Sequence, residues 1–302
     1  MSDPVTIDVS FELWDGDFAS TPINKRNNYQ QDGVLVRDVR IGEHSCKLIL
    51  VLDGHGGVSS RDFVMRHLAH DLMIECEGVS DWNTGRLGAK LVTVVARLHD
   101  RFVADNLGET TDGTTITLVL VQKATGACIV GNLGDSRLQA HPDSTWCALT
   151  TPSFHTIDQE AGSLPIPTGF VLRSRPGQKP MIEREYSGPY PPGISLSSSF
   201  GDLGKPYTPA LHRELVVDHL PSGAKYLVLA TDGFFDVWDK FKQVEHLRDQ
   251  MKSVDPLTPK GVIGVLQTWV AQQKLQTWDN TSVCFVSIVP AVNSPSILSS
   301  HQ

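Results

Sequence analysis

The sequence lacks long apolar segments, paired cysteines and an excess of positive charge. Its five cysteines among 302 residues include no Cys-x-x-Cys spacing. The longest apolar runs are stretches such as residues 48–52, far below the roughly 20 residues that cross a bilayer. Lys and Arg number 26 against 34 Asp and Glu, so the formal charge is −8. These deficits argue against a membrane protein, a disulfide scaffold, a zinc finger, a coiled coil and a nucleic-acid binder.

The expected cellular setting follows from the same absences. The first residues, Met1-Ser2-Asp3-Pro4, match neither a signal peptide nor a myristoylation site. Scattered, odd-numbered cysteines are typical of reduced thiols. We therefore expect a cytoplasmic location, with entry into the nucleus left open, and a monomer that binds neither membrane nor nucleic acid. The composition, 40% hydrophobic and 20% charged, is enough to bury a sizeable core.

Short apolar runs predict β-strands. Continuous apolar runs are typical of strands that are covered on both faces, and β-branched residues add to the strand signal. A polar break at 122–126 predicts a hairpin. The predicted strands are residues 47–52, 115–121, 127–130, 226–230 and 282–289.

Apolar residues at helical spacing predict helices between these strands. The stripes run from Val64 to Leu72, from Leu91 to Phe102 and from Val262 to Trp269. Thr258 followed by Pro259 is a typical helix start. Ser59 or Ser60 would cap the helix that contains Val64. We assign these helices a packing role and no chemistry.

One domain is expected over residues 1–290, followed by a flexible tail at 291–302. Residues 152–194 contain eight of the 18 prolines and several glycines, without a clear period. This composition predicts a long, flap-like excursion over the surface of the domain.

Two aspartates stand directly after apolar runs. Asp-Gly occurs five times, and most such pairs make turns. Asp53 and Asp232, however, each end a predicted buried strand, where an unpaired carboxylate is costly without a cation. Asp32 precedes one strand, and Asp279 precedes the last one. Oxygen donors suit Mg²⁺ or Mn²⁺, and two such ions about 3.5–4 Å apart would clamp a phosphoryl group.

Four motifs resemble those of the metal-dependent protein phosphatases, the type 2C serine/threonine phosphatases. They occur in the family's order, and the resemblance as a whole extends from about residue 26 to about residue 289. The motifs are Val51-Leu-Asp-Gly-His-Gly-Gly57, Gly131-Asn-Leu-Gly-Asp-Ser-Arg137, Leu229-Ala-Thr-Asp-Gly-Phe-Phe-Asp-Val237 and Asp279-Asn280.

The resemblance implies an α+β fold, a four-layer α/β/β/α sandwich of two antiparallel sheets flanked by helices. It places a dinuclear metal centre at one end of the sandwich. One ion would be bound by Asp32, Asp53 and the carbonyl of Gly54. The second would be bound by Asp53, Asp232 and Asp279, with Asp53 bridging. A third, weaker ion would be bound by Asp135, Asp236 and Asp232.

The same resemblance implies hydrolysis of phosphoserine or phosphothreonine in proteins by a hydroxide that bridges the two ions. Asp53 would take part in catalysis as the bridging ligand, and His55 would protonate the leaving alkoxide. The family's phosphate-binding arginine lies five residues before the first metal aspartate, where this chain has Asn27. A one-residue bulge would bring Arg26 to that position; otherwise Lys25 holds the phosphate, or the metals do so alone.

The chain departs from the family pattern around the phosphate. Gln31 stands where a glutamate often precedes the first metal aspartate, and Ser197-Ser198 replaces a Ser-Arg pair. An Asp-His pair expected after residues 149–150 is absent from the sequence. Two alternative functions therefore stay open, a catalytically weak phosphatase-like binding protein and a hydrolase of small phosphate esters.

Overall fold

The computed structural model describes the strands and helices that surround the four motifs. The described residues are 5–14, 30–106, 111–141, 165–174, 180–185, 193–205, 208, 211, 214–220, 226–235, 258–273 and 279–290. The helices are α1 (Ser59–Glu75), α2 (Thr84–Asn106) and α3 (Pro259–Gln272). The strands are β1 (Val5–Trp14), β2 (Gly33–Ile41), β3 (His44–Leu52), β4 (Gly54–His55), β5 (Gly113–Thr114), β6 (Ile116–Gln122), β7 (Cys128–Leu133), β8 (Arg137–His141), β9 (Phe170–Arg173), β10 (Met181–Arg184), β11 (Gly193–Ile194), β12 (Phe200–Gly201), β13 (Val216–His219), β14 (Tyr226–Ala230) and β15 (Thr281–Pro290).

Two antiparallel sheets form the centre of the molecule. The larger has the strand order β13-β7-β6-β3-β2, and the smaller has the order β1-β15-β14-β8. Strand β3 lies inside the larger sheet and is apolar along its second half, as the sequence predicted for a strand covered on both faces. Leu48, Leu50 and Leu52 point to α1 and α2. Ile49 and Val51 point to the other sheet, because side chains alternate along a strand.

Three apolar cores hold four layers together. The first lies between the larger sheet and the helices α1 and α2. The second lies between the two sheets, and the third lies between the smaller sheet and α3, around the fully buried Trp269. The predicted α/β/β/α sandwich is therefore confirmed.

Strand β1 was not predicted from the sequence. It pairs with β15 along its whole length, from Val5↔Pro290 to Trp14↔Thr281. Val5, Ile7 and Val9 alternate with exposed polar residues and pack against the core between the sheets. This alternation is the period of a half-buried edge strand, so the signal was present in the sequence.

The helix starts agree with the sequence in one case and differ in another. Thr258 caps α3, as predicted, by accepting a hydrogen bond from the backbone N–H of Gly261 at 3.1 Å. The predicted serine cap of α1 was wrong, because Val58 holds the N-cap position and makes no side-chain cap. Ser59 and Ser60 lie in the first turn of α1 instead.

The proline-rich region contributes a small sheet of order β11-β10-β9. Ile182, Ile194 and Leu196 form a separate apolar cluster there with Leu211. The predicted tail at 291–302 lies outside the described residues. None of the described helices has the length and apolarity required of a membrane span.

Candidate metal and acid–base site

Five aspartates converge because five chain segments enter or leave the two sheets at the same end. The register places Gly33, at the start of β2, opposite Leu52, at the end of β3, so Asp32 and Asp53 are neighbours. Ala230 at the end of β14 pairs with Val283 of β15. The other three site aspartates lie just beyond strand ends, at the same end of the two sheets. Asp135 lies between β7 and β8, Asp232 lies after β14, and Asp279 lies before β15.

Three of these carboxylates form a tight group. Asp53, Asp135 and Asp232 each offer an oxygen, and these oxygens all lie within 4.8 Å of one another. The three side chains line a cavity of about 300 Å³ together with Asp279 and His55. This cavity is the candidate active site.

Asp32 lies behind the cavity and is only 2% exposed. Its Oδ2 accepts hydrogen bonds from Thr231 Oγ1 at 3.0 Å and from Ser282 Oγ at 2.9 Å. Its Oδ1 is buried and has no hydrogen-bond partner within the described part of the chain. A buried carboxylate oxygen is costly when it lacks a partner, and a divalent cation would supply one.

The electrostatics of the group favour a cation. Burial raises the pKa of Asp53, and the nearby charges of Asp232, Asp32, Asp279 and Asp135 raise it further. Burial and the charge of Asp279 likewise raise the pKa of Asp32. Carboxylates that repel one another bind hard divalent ions well, because the ion neutralises the repulsion. The residues present therefore fit oxygen-bound metal ions.

Buried hydroxyl groups hold the backbone around these carboxylates. Thr115 Oγ1 accepts a hydrogen bond from the N–H of Asp53 at 2.9 Å and shares another with Ser136 Oγ at 2.7 Å. Ser136 therefore has a structural role in the turn between β7 and β8. Ser198 Oγ accepts from the N–H of Gly134 at 2.8 Å, so a serine that departs from the family pattern supports the turn before Asp135.

His55 is paired with a carboxylate that the sequence analysis had not assigned to the site. Its Nε2 lies 2.8 Å from Oδ2 of Asp202, whose side chain is fully buried. Burial by itself lowers the pKa of His55, but the charge and hydrogen bond of Asp202 outweigh that effect and raise the pKa above its ordinary value. The pair therefore favours a protonated imidazole at the wall of the cavity.

A three-stranded sheet of order β12-β5-β4 positions this pair. His55 pairs with Gly113, and Gly113 pairs with Gly201, the residue before Asp202. A side chain at Gly113 would overlap both Asp202 Oδ2 and His55 Nε2. The glycine of this Asp-Gly pair is thus required by a close approach.

Asp112 also differs from its predicted role as a turn residue. It is buried, and its Oδ2 accepts a hydrogen bond from the N–H of Ser60 at 3.1 Å. The Ser60 hydroxyl donates to the Asp112 carbonyl at 2.9 Å. Asp112 thereby satisfies the N-terminus of α1 from another segment, a capping interaction that sequence spacing does not reveal.

Two predicted site residues lie outside the described residues, namely Asp236 and Arg26. Gly54 lies where expected, and its backbone is so close to the carbonyl of Gln31 that a side chain there would overlap it.

Asp202 and Lys205 were missed as site residues. The sequence signal for Asp202 was its position after Gly201. Both residues have a positive φ, 87° for Gly201 and 55° for Asp202, and the residue type Asp does not by itself predict a positive φ.

Comparisons with known proteins agree with this architecture. No protein-family model matches the chain. The chain is 23% identical over 231 residues to "Probable protein phosphatase 2C 62" of Oryza sativa subsp. japonica, covering 75% of this chain and 74% of that protein. It is 22% identical over 220 residues to "Probable protein phosphatase 2C 28" of Arabidopsis thaliana, covering 70% of this chain and 60% of that protein.

A solved structure, the serine-threonine phosphatase 2C from Toxoplasma gondii, has the same fold. The TM-score is 0.63 at 18% identity, with coverage of 95% of this chain and 97% of that one. At this identity the likeness establishes the fold, and the chemistry rests on the residues described above.

Proposed function

Because the chain is related to the type 2C protein phosphatases in both sequence and fold, we propose that it hydrolyses phosphoserine and phosphothreonine in phosphorylated proteins. The observation that carries this proposal is the convergence of four aspartates and a carboxylate-paired histidine on one cavity, with the buried Asp32 beside them. Carboxylates alone would repel a phosphate. They can contribute to phosphate binding only by holding cations, whose positive charge attracts the phosphoryl oxygens.

The cations we propose are Mg²⁺ or Mn²⁺. Asp32, Asp53 and the Gly54 carbonyl would hold one ion, and Asp53, Asp232 and Asp279 would hold the second. Asp135 and Asp232 would hold a third, weaker ion together with Asp236, which lies outside the described residues. When bound, such ions supply positive charge to the phosphoryl oxygens and lower the pKa of the attacking water.

His55 is proposed as the general acid. Its Nε2 is engaged by Asp202 at 2.8 Å, so in the protonated ring Nδ1–H remains to donate to the leaving serine or threonine oxygen. The alkoxide of an alcohol is a poor leaving group, and a proton delivered to it lowers the barrier. Asp202 acts as a positioning residue that fixes the ring and favours its charged form.

Arg26 remains our proposal for the group that grips the substrate phosphate, through a bulge between it and Asp32. A guanidinium offers two parallel donors to two phosphate oxygens. Lys25 is the alternative in the same segment. For the setting, we propose a cytoplasmic, monomeric enzyme whose partners are its phosphorylated protein substrates.

The decisive experiment is phosphate release from a phosphothreonine peptide with Mn²⁺ or Mg²⁺, followed by chelator. We expect turnover with metal, its loss in chelator and its return when metal is restored. Asp53→Asn and Asp232→Asn should abolish turnover while the protein stays folded. Full activity in chelator would refute a metal-dependent reaction.

The two alternatives are distinguished by the same assay. A phosphatase-like binding protein would bind the phosphopeptide without turnover at saturating metal. A hydrolase of small phosphate esters would turn over free phosphate esters and leave the phosphopeptide intact.

A further inference from the structure

Lys205 is a cation at the active-site cavity that the sequence analysis did not single out. It is the only lysine or arginine among the described residues that line this cavity, alongside Asp53, Asp135, Asp232 and Asp279. Its side chain is half-buried and makes no ion pair within the described ranges. A half-buried lysine that lines a negatively charged cavity is therefore available to a ligand.

The turn that carries Lys205 is fixed by backbone and side-chain hydrogen bonds. The N–H of Lys205 donates to Thr208 Oγ1 at 3.0 Å, and the N–H of Thr208 donates to the Lys205 carbonyl at 3.0 Å. Thr208 Oγ1 also donates to the carbonyl of Asp202. The same turn thus places Asp202 against His55 and Lys205 at the cavity, so the lysine has a fixed relation to the proposed general acid.

The charge of the site favours a cation of this kind. While only the two more tightly held ions are bound, the five aspartates outweigh the charge of these ions by one, so a phosphate dianion would still meet net negative charge. Met181, Ile194 and Leu196 line the cavity beside Lys205, and an apolar wall strengthens charge interactions by excluding water.

We propose that Lys205 binds the phosphoryl oxygens of the substrate, an assignment that rests on the proposed phosphatase function. Without a bulge before Asp32, Asn27 stands at the position of the family's phosphate-binding arginine. Lys205 would then supply the positive charge from a different segment of the chain. An ammonium acts as a point charge and does not grip two oxygens at fixed angles. Lys205 would therefore act with or without Arg26.

The test is the affinity of the Mn²⁺-loaded protein for inorganic phosphate, measured by calorimetry, together with KM and kcat on a phosphothreonine peptide. Lys205→Met should weaken phosphate binding and raise KM by about 10- to 100-fold, as expected for a lost charged hydrogen bond. Lys205→Arg should retain most of the affinity. Lys123→Met is the matched control, because Lys123 pairs with Asp38 at 2.9 Å and does not line the cavity; it should change neither constant.

The outcomes separate this inference from the proposed function. A wild-type protein without turnover or phosphate binding at saturating metal would refute the phosphatase itself. An active wild type with unchanged phosphate affinity in Lys205→Met would refute only the role of Lys205. A higher peptide KM with unchanged phosphate affinity would also overturn it, because Lys205 would then contact the peptide. If the Mn²⁺ activation curve of Lys205→Met matches that of the wild type, the metal site of the variant is intact. If Lys205→Met unfolds, Lys205→Gln takes its place in the same measurements.

Discussion

At the scale of single residues, the site depends on atoms that approach more closely than side chains normally allow. Gly113 leaves room for the His55–Asp202 pair, and Gly54 leaves room for the carbonyl of Gln31. Glycine is the one residue without a Cβ, so it permits such contacts between backbone and site. The positions of both glycines beside the site aspartates and His55 make them sensitive to the smallest substitution.

Gly113→Ala should impair catalysis by displacing the acid–base pair. A methyl group there overlaps both members of the pair, and a misplacement of about 1 Å at a reacting group costs on the order of 10²-fold in rate. The measurement is kcat on a phosphothreonine peptide. Gly264→Ala is the control, since a Cβ at Gly264 in α3 meets nothing within 4 Å. Equal activity of the two variants would contradict this account of Gly113.

His55→Gln should distinguish substrates by their leaving groups. Loss of a general acid costs about 10²–10⁴-fold when the leaving group is the alkoxide of phosphothreonine. An aryl phosphate should lose far less, because its phenolate leaves without a proton. Asp202→Asn should show the same selectivity with a smaller amplitude. If both substrates lose activity equally, His55 has a structural role.

At the scale of helices and strands, the segments are held at their ends by groups from elsewhere in the chain. Asp112, the residue directly before β5, accepts hydrogen bonds from Ser60 at the start of α1. This contact links the helix directly to the strand that supports His55. Helix α3 instead has a local cap at Thr258, and its apolar face covers the smaller sheet around Trp269.

Thr258→Ala should destabilise the protein without affecting its chemistry. The loss of an N-cap costs about 0.5–2 kcal/mol, and Thr258 is not among the residues that line the active-site cavity. The midpoint of urea unfolding should fall, while kcat and KM under native conditions stay the same. Thr258→Ser keeps the capping oxygen and should retain most of the stability. A lower kcat at full folding would show that α3 is coupled to the site.

At the scale of the whole molecule, the strand ends at one edge of the sandwich concentrate negative charge that opposes folding. Burial and mutual repulsion raise the pKa values of Asp32 and Asp53, so these carboxylates are charged at a cost to the metal-free protein. Metal binding should convert this repulsion into stability, because the ions bind the folded state and not the unfolded one. Function and stability thus make opposite demands on the same residues.

Asp53→Asn should therefore raise the melting temperature in chelator and lower the gain from metal. Each kcal/mol of relieved repulsion is worth about 2–4 °C for a chain of roughly this size. Wild type at a Mn²⁺ concentration of 100 times the dissociation constant should gain about 2.7 kcal/mol, and the variant should gain much less. Asp8→Asn on the exposed face of β1 is the control and should change neither value. A lower melting temperature of Asp53→Asn in chelator would contradict the repulsion.

The sequence by itself determined three helices and five of the central strands, and its resemblance to a known family implied the layers that they form. Apolar runs such as residues 48–52 and the stripe in α2 reflect which faces are buried, and burial is what patterns of hydrophobicity record. The aspartates of the site were also found in the sequence, four of them because they stand beside a strand end and Asp135 because it lies within a motif that resembles the family's. Strand β1 also carried a signal in the sequence, the alternation of apolar and polar residues along residues 5–9.

Only the tertiary structure showed which further residues join the aspartates at the site and support it. Asp202 and His55 are separated by 147 positions, and Lys205 lines the cavity through a turn that is fixed by Thr208. Asp112 caps a helix that begins 53 residues earlier in the chain, at Ser59. Such contacts depend on sheet register and on turns with positive φ, and neither property leaves a periodic trace in the sequence.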